Sequence, residues 1–452
     1  MGTLKERIEQ LSWRDLLLGM MVLIGLLSTY QALSHLHLFS DGAHVLMNIL
    51  TTQSIFTPNE NRFLSNLLQQ FLPFLLIKMG VTDIQMISLV FGLNLYLIPL
   101  LSVVISFSIL EKEYKGLVLI PLSWLLFVNH NNYAFILSEA YVTTAIFWPL
   151  ITYALFKRLR IGTLWIFYLG VFCLAFTHEL AFILISIILL GLLLNSWLTS
   201  GGLLIKGITV LFTIFCIAIS WSNISAISLD NVTDQISQLA SLKQYPLTAV
   251  AIIILIYLSL AKVRKSLAMG MLSVFGVMIV LVLIPLLNPN GILYPILHWE
   301  QRILILLSAV ILSGVFIGLR FAKKELHSSA VWSKVSLLTL VMTIFFYQMR
   351  MISVWNSYRS SFEMAMDNKV GLVDYHQTNL YRDPKLNQFV TPWTTNTTAL
   401  ILQSFKGNEI KALIWLREDI WQAWYSSDRN HWPDLRVYGI NYRLFGPQTY
   451  GK

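Results

Sequence analysis

Uninterrupted apolar runs constrain this chain more than any other feature. Residues 84–109 and 180–198 carry no charged side chain, and 163–198 is almost wholly apolar apart from His178–Glu179. Runs of about 18 residues or more are long enough for a helix to cross the hydrocarbon of a bilayer. Backbone groups in lipid are satisfied only within helices or closed barrels. Barrel strands alternate over roughly ten residues, and these runs do not alternate. Hydrophobic residues make up 56% of the 452 and charged ones 12%, against about a quarter charged in a soluble domain. The expected fold is therefore an all-α polytopic membrane bundle.

Charge orders the runs. About eleven spans can be placed, at 15–36, 84–109, 116–129, 135–156, 163–177, 180–198, 203–221, 247–261, 267–287, 302–319 and 333–349. The connections on one side then hold Lys5, Arg7 and Arg14, Lys112 and Lys115, Lys157, Arg158 and Arg160, Lys206, Lys262, Arg264 and Lys265, and Arg320, Lys323 and Lys324. That side is cytoplasmic by the positive-inside rule. The other side receives Asp41, His178–Glu179, Asp230, Asp234 and Glu300. The net charge of +9 thus reflects flanking of spans, and no nucleic-acid partner is expected. Cys173 and Cys216 both fall within apolar runs, so no disulfide framework is expected. The first apolar run continues into a full span, which speaks against a cleaved signal peptide.

The chain divides into a transmembrane domain, 1–349, and a soluble extracytoplasmic tail, 350–452, whose ordinary composition suits a small α/β domain. Within the first domain the outer segment 37–83 carries amphipathic stretches at 43–51 and 63–79, which suit interfacial helices on the membrane plane.

Four places on the outer side hold candidate chemistry. Asp41, in Ser40–Asp41–Gly42–Ala43–His44, stands just beyond the first span; it is either a functional acid or a helix N-cap. His178–Glu179 sits between two apolar halves at a hairpin tip, where Gly, Asn, Ser or Pro would be usual. Glu139 follows Ser138 at the mouth of the fourth span; it is either functional or paired with an Arg or His across the bundle. Arg302, beside His298 at the mouth of the tenth span, has a guanidinium suited to phosphate, and it equally suits snorkelling or a pair with Glu300. Arg62, Arg350 and Arg359 share that side and are weaker candidates. No HExxH or Cys/His zinc spacing, Walker loop, GxGxxG or GxSxG is present. No metal site is therefore assigned.

These residues together resemble the GT-C superfamily of membrane glycosyltransferases. The resemblance rests on one span leading into a long outer loop with an early acid (Asp41), amphipathic helices in that loop, Ser138–Glu139 opening an outer-facing span, the His178–Glu179 tip, and a C-terminal soluble tail. It covers the whole chain in architecture through short motifs. It implies an inverting transfer of a sugar from a polyprenyl-phosphate donor to a glycan or lipid acceptor on the extracytoplasmic face of the membrane. Short connections and the lack of outer disulfides point to a bacterial inner membrane, and the charge pattern to a cytoplasmic N-terminus. Asp41 would be the catalytic base, with Glu139 or Glu179 orienting the acceptor or holding a divalent cation where one is used. His44, His178, His298 and Arg302 would contact substrate. Many members carry Asp-Asp, Asp-Glu or Asp-x-Asp in the first loop, whereas Asp41 is followed by Gly42, Ala43 and His44. A divalent cation, Mg or Mn, is left open on that ground. The competing readings are an O-antigen polymerase or ligase, which favours a large late loop, and a multi-span transporter, which favours internal repeats. Neither feature is present in the sequence.

Overall fold

The computed structural model describes residues 12–58, 62–125, 138–157, 161–198, 203–223, 298–321, 330–367, 369, 371–387, 389–390, 394–405 and 412–415. The expected spans at 247–261 and 267–287 lie outside them. The described chain is mostly helical. Helix α1 (Trp13–Leu33) is followed by a 3-10 turn (Leu36–Leu38), then α2 (Asp41–Thr52), α3 (Phe63–Lys78) and α4 (Ile84–Ile109). Next come α5 (Leu119–Trp124), α6 (Glu139–Phe156), α7 (Ile161–Ala175), α8 (Ala181–Leu198), α9 (Leu203–Ser222), α10 (His298–Phe321) and α11 (Ala330–Met366).

Local chemistry sets several of the boundaries. Ser12 caps α1 by accepting from the Asp15 amide at 3.1 Å. Asp83 caps α4 through the Met86 amide at 3.1 Å, and Ser138 caps α6 through the Ala140 amide at 3.3 Å. Each supplies an oxygen to one of the orphan N–H groups of a first turn. Helix α1 stops at Leu33, three residues before the expected end, because Ser34 and then His35, at φ 55°, turn the chain out of the helix.

Three helices among the described residues are long and apolar enough to cross a membrane: Arg14–Leu33, Ile84–Ile109 and Leu204–Ser222. Helix α1 is apolar all round, which suits a helix with no aqueous face. Leu17, Met20 and Ile24 are buried, while Leu18, Val22 and Leu26 form an outward stripe, Val22 being 62% exposed. In α9, Leu204, Ile208, Leu211 and Phe215 form a second such stripe. Left in water, each such side chain forgoes roughly 1.5–3 kcal/mol of burial free energy, so these stripes call for a hydrocarbon environment.

Two cores divide the molecule along its length. The first joins Leu16–Ile24 of α1, Leu100 and Val103 of α4, and the inner faces of α6, α7, α8 and α10. The second joins Leu27 and Ala32 of α1, the buried residues of 36–50, Ile84–Tyr96 of α4, Met351–Met366 of α11, and Leu380, Phe389 and Ala399–Leu402 beyond it. Helices α1 and α4 are therefore antiparallel, and each contributes to both cores. The segment that follows α1 and the C-terminal segment meet at one end. Trp355 Nε1 donates to the Ser34 carbonyl at 2.8 Å, and Thr398 Oγ1 donates to the Leu38 carbonyl at 3.3 Å. Residue 350, where the sequence begins its tail, lies inside the continuous helix α11. Past α11, strands Gly371–Asp374 and Ala412–Trp415 pair in parallel, with Gly371 opposite Ala412. The helix Thr395–Ser404 lies between them in sequence. Residues 416–452 lie outside the described residues.

Helices α2 and α3 occupy the two amphipathic stretches but differ in how they are used. Helix α2 buries Ala43, Val45, Leu46, Ile49 and Leu50 in the second core, so its apolar face is covered by protein. Helix α3 is inverted. It buries Ser65, Asn66, Gln69 and Gln70 and leaves Phe63, Leu68, Phe71, Leu72 and Leu75 exposed. An outward apolar face with an inward polar stripe suits a helix at the lipid boundary whose inner face serves a polar site.

Candidate functional site

Asp41 is placed by a turn that most sequences would avoid. Ser40 adopts φ 52° and ψ −130° at the first central position of a turn closed by the Gly42 amide on the Phe39 carbonyl at 3.3 Å. That region is normally glycine's, and a residue held there stores about 1–3 kcal/mol. Gly42 is required for a separate reason: a Cβ there would lie 1.7 Å from the His37 carbonyl oxygen. Asp41 is consequently the first helical residue of α2, half-buried, while the cap position falls to Ser40, which makes no side-chain cap bond. A carboxylate in a first turn is favoured by the helix dipole. His44, one turn on, is exposed, and its ring stands edge-on to Phe56 at 5.5 Å; Asn48 Nδ2 lies 3.2 Å from His44 Nε2.

The turn before Asp41 is fastened by two buried histidines. His35 Nδ1 and His37 Nε2 lie 3.1 and 3.0 Å from the Ser88 hydroxyl. The Ser88 hydroxyl can accept from both rings, or accept from one and donate to the other. Burial, helped by Arg359, pushes His35 down to about 4, and burial pushes His37 well below the ordinary imidazole value. Both are therefore neutral at pH 7. Gly92 makes room for the His37 ring, since a Cβ there would lie 2.2 Å from its Nδ1.

A second group joins residues far apart in sequence. Arg62 Nε donates to Glu179 Oε1 at 2.7 Å, and its Nη1 lies 3.4 Å from Glu139 Oε1. His178 Nδ1 lies 3.3 Å from Glu179 Oε2. The Arg62, Glu139 and Glu179 side chains are 16%, 11% and 1% exposed, so water screens them weakly. Helix α3 brings them together by docking on both carboxylate-bearing backbones. Ser65 Oγ donates to the Thr177 carbonyl at 2.7 Å, and Gln69 Nε2 donates to the Ser138 carbonyl at 3.0 Å. Burial alone would raise the Glu179 carboxyl, but His178 and Arg62 outweigh it and hold it below its ordinary value. Burial likewise opposes the charge on Arg62, and Glu139 and Glu179 together raise its pKa nonetheless. Breaking such a buried pair from one side typically costs about 3–5 kcal/mol.

The structure thus brings together Glu139, His178 and Glu179 from the sequence candidates and adds Arg62, a weaker one. Glu139 does pair with an arginine across the fold. Asp41 and His44 are on α2, which packs on α3 at the same end of the molecule. His298 and Arg302 fall in the first turns of α10, and their side chains lie outside the description. Arg359, another weaker candidate, donates to the Ser34 carbonyl at 3.1 Å and lies 3.9 Å from Glu363. Among the described residues no group of three His, Cys, Asp or Glu side chains is arranged to hold a metal ion. Glu139 and Glu179 enclose the Arg62 guanidinium, so Mg or Mn does not fit between those two carboxylates. No family model, curated protein or solved structure matches the chain.

Proposed function

We propose that this chain is an inverting membrane glycosyltransferase of the GT-C type. It would move a sugar from a polyprenyl-phosphate donor to a glycan or lipid acceptor on the extracytoplasmic face of a bacterial inner membrane. The observation that carries this reading is the convergence of two sequence-distant acids, Glu139 and Glu179, on Arg62, at the end of the molecule where a strained turn presents Asp41. Ionisable groups so close to apolar helices are costly to keep unless they serve a function. In this reading about eleven helices cross the bilayer and the N-terminus is cytoplasmic. The C-terminal segment, an α/β domain, then lies outside with the first loop.

Asp41 accepts the proton of the acceptor hydroxyl as that oxygen attacks the anomeric carbon. The bond from that carbon to the phosphate oxygen breaks, and the lipid phosphate leaves with the electron pair. Inversion follows from attack opposite the leaving group. Arg302, with His298 in the same helical turn, holds the departing phosphate. His44 and His178 flank the reacting sugars, and Glu139 and Glu179 orient the acceptor. Glu179 suits orientation better than proton abstraction, because a carboxylate held below its ordinary pKa is a weaker base. Positioning and charge stabilisation provide most of the barrier reduction, since the donor bond is already activated.

The test is a transfer assay in proteoliposomes with a polyprenyl-phosphate hexose. Asp41→Asn is expected to lower kcat by about 10²–10⁴-fold, the range for loss of a general base, while melting like the wild type. Unchanged kcat would remove Asp41 from the proton transfer.

A further inference from the structure

Two carboxylates this close, at the mouth of an apolar bundle, stay ionised together only with a positive charge between them. A divalent cation is the common solution, with carboxylate oxygens at about 2.0–2.6 Å for Mg or Ca. Here the space between Glu139 Oε1 and Glu179 Oε1 holds the Arg62 guanidinium, 3.4 and 2.7 Å from the two oxygens. A metal on those same oxygens would overlap it.

We infer that Arg62 is the resident cation of this site, fixed by helix α3 between Glu139 and Glu179 in the position a divalent metal would take. Three features of the geometry support this. The contact to Glu179 is a charge-assisted hydrogen bond of 2.7 Å, short enough to rank among the strong ones. Arginine keeps its charge when desolvated, unlike lysine. Finally, Arg62 is the N-cap residue of a 16-residue helix that is itself bonded to the Ser138 and Thr177 carbonyls, one and two residues before the two acids. The cation and its two ligands are thus set by one rigid element, as a positioning device requires. Arg62 acts through the two acids and is a positioning residue. Combined with the proposed glycosyl transfer, and resting on it only for this consequence, the arrangement leaves that reaction without a divalent metal between Glu139 and Glu179.

Two measurements read the cluster without any sugar. Paramagnetic resonance of Mn²⁺ titrated into the purified wild-type protein is expected to show no Mn²⁺ that disappears in Glu139→Gln/Glu179→Gln. One Mn²⁺ per chain, lost in that double variant, would overturn the inference. Thermal unfolding compares Arg62→Gln with the triple variant Arg62→Gln/Glu139→Gln/Glu179→Gln. The single change is expected to lower Tm, and the triple to recover part of the loss, because neutral amides then replace the two carboxylates that Arg62 had neutralised. A triple variant no more stable than the single one would mean that Arg62 serves packing alone. Arg62→Lys adds a further readout: it is expected to melt between wild type and Arg62→Gln, since the charge stays and the fork is lost.

Discussion

Ser40 and His35 show how much of this site is fixed by single backbone positions. Both hold positive φ, 52° and 55°, and the short segment Ser34–Ser40 turns between α1 and α2 by means of them. The candidate acids were legible in the sequence because an isolated Asp or Glu beside a long apolar run stands out. The conformation of Ser40 was not, since serine carries no signal for that region as glycine would. The pairing of Arg62 with Glu179 was equally hidden, because 117 residues separate them and no local spacing links the two. A pH experiment tests the histidines of the turn. His35 is held down to about 4 from 6.5, so the unfolded chain binds a proton that the folded chain refuses. Its stabilising contribution is full above pH 6.5 and is lost as pH falls toward 4, to the extent of roughly 3 kcal/mol at 1.36 per unit. Glu179, whose pKa is depressed from 4.5, loses its contribution only at pH values below that. In detergent, the wild-type Tm is expected to fall between pH 6.5 and 4.5. His35→Asn, which tolerates positive φ, is expected to flatten that fall; parallel curves would place the pH dependence elsewhere.

Among the elements, α3 is the most informative because its polarity is inside out. Its length was legible from the apolar run, and its helical period from 63–79. The direction of its faces was not, because periodicity gives two faces without saying which is buried. The buried face carries Ser65, Asn66, Gln69 and Gln70, and two of these fasten the helix to the backbones of Thr177 and Ser138. Gln69→Ala leaves the Ser138 carbonyl without that donor, which costs about 1–3 kcal/mol. The expected result is a lower Tm together with a higher KM for the acceptor, as the mouth of α6 and Glu139 lose their seat. An unchanged KM would detach α3 from substrate orientation. The sequence drew the first span to about 36 and the tail from 350, whereas helix α1 ends at Leu33 and helix α11 runs through 350, for related reasons. Ser34 and His35 carry no helix-stop signal of the Gly or Pro kind. Across residue 350 the helix α11 continues because 330–366 contains neither Gly nor Pro, although its composition turns from apolar to polar there.

At the scale of the molecule, the division into two cores is the main result. The bundle core holds the apolar inner faces that the sequence assigns to spans, and the second core joins the segment after α1 to the C-terminal segment. The sequence placed those two segments on one side through charge bookkeeping, and Trp355, Thr398 and Arg359 bind them to one another directly. Which pieces touch could not be read from charge, which assigns sides and not contacts. Lys385 is exposed in the C-terminal segment. A Lys385→Cys variant lacking Cys173 and Cys216 is expected to react with a membrane-impermeant thiol reagent in intact spheroplasts; labelling only after lysis would reverse the orientation.

The most direct test of the glycosyltransferase reading is mass spectrometry of the lipids that co-purify with the protein in mild detergent. The expected result is a polyprenyl-phosphate sugar on the wild type that is depleted on Arg302→Ala. A polyprenyl-pyrophosphate oligosaccharide in its place, or the same polyprenyl-phosphate sugar undiminished on Arg302→Ala, would contradict it.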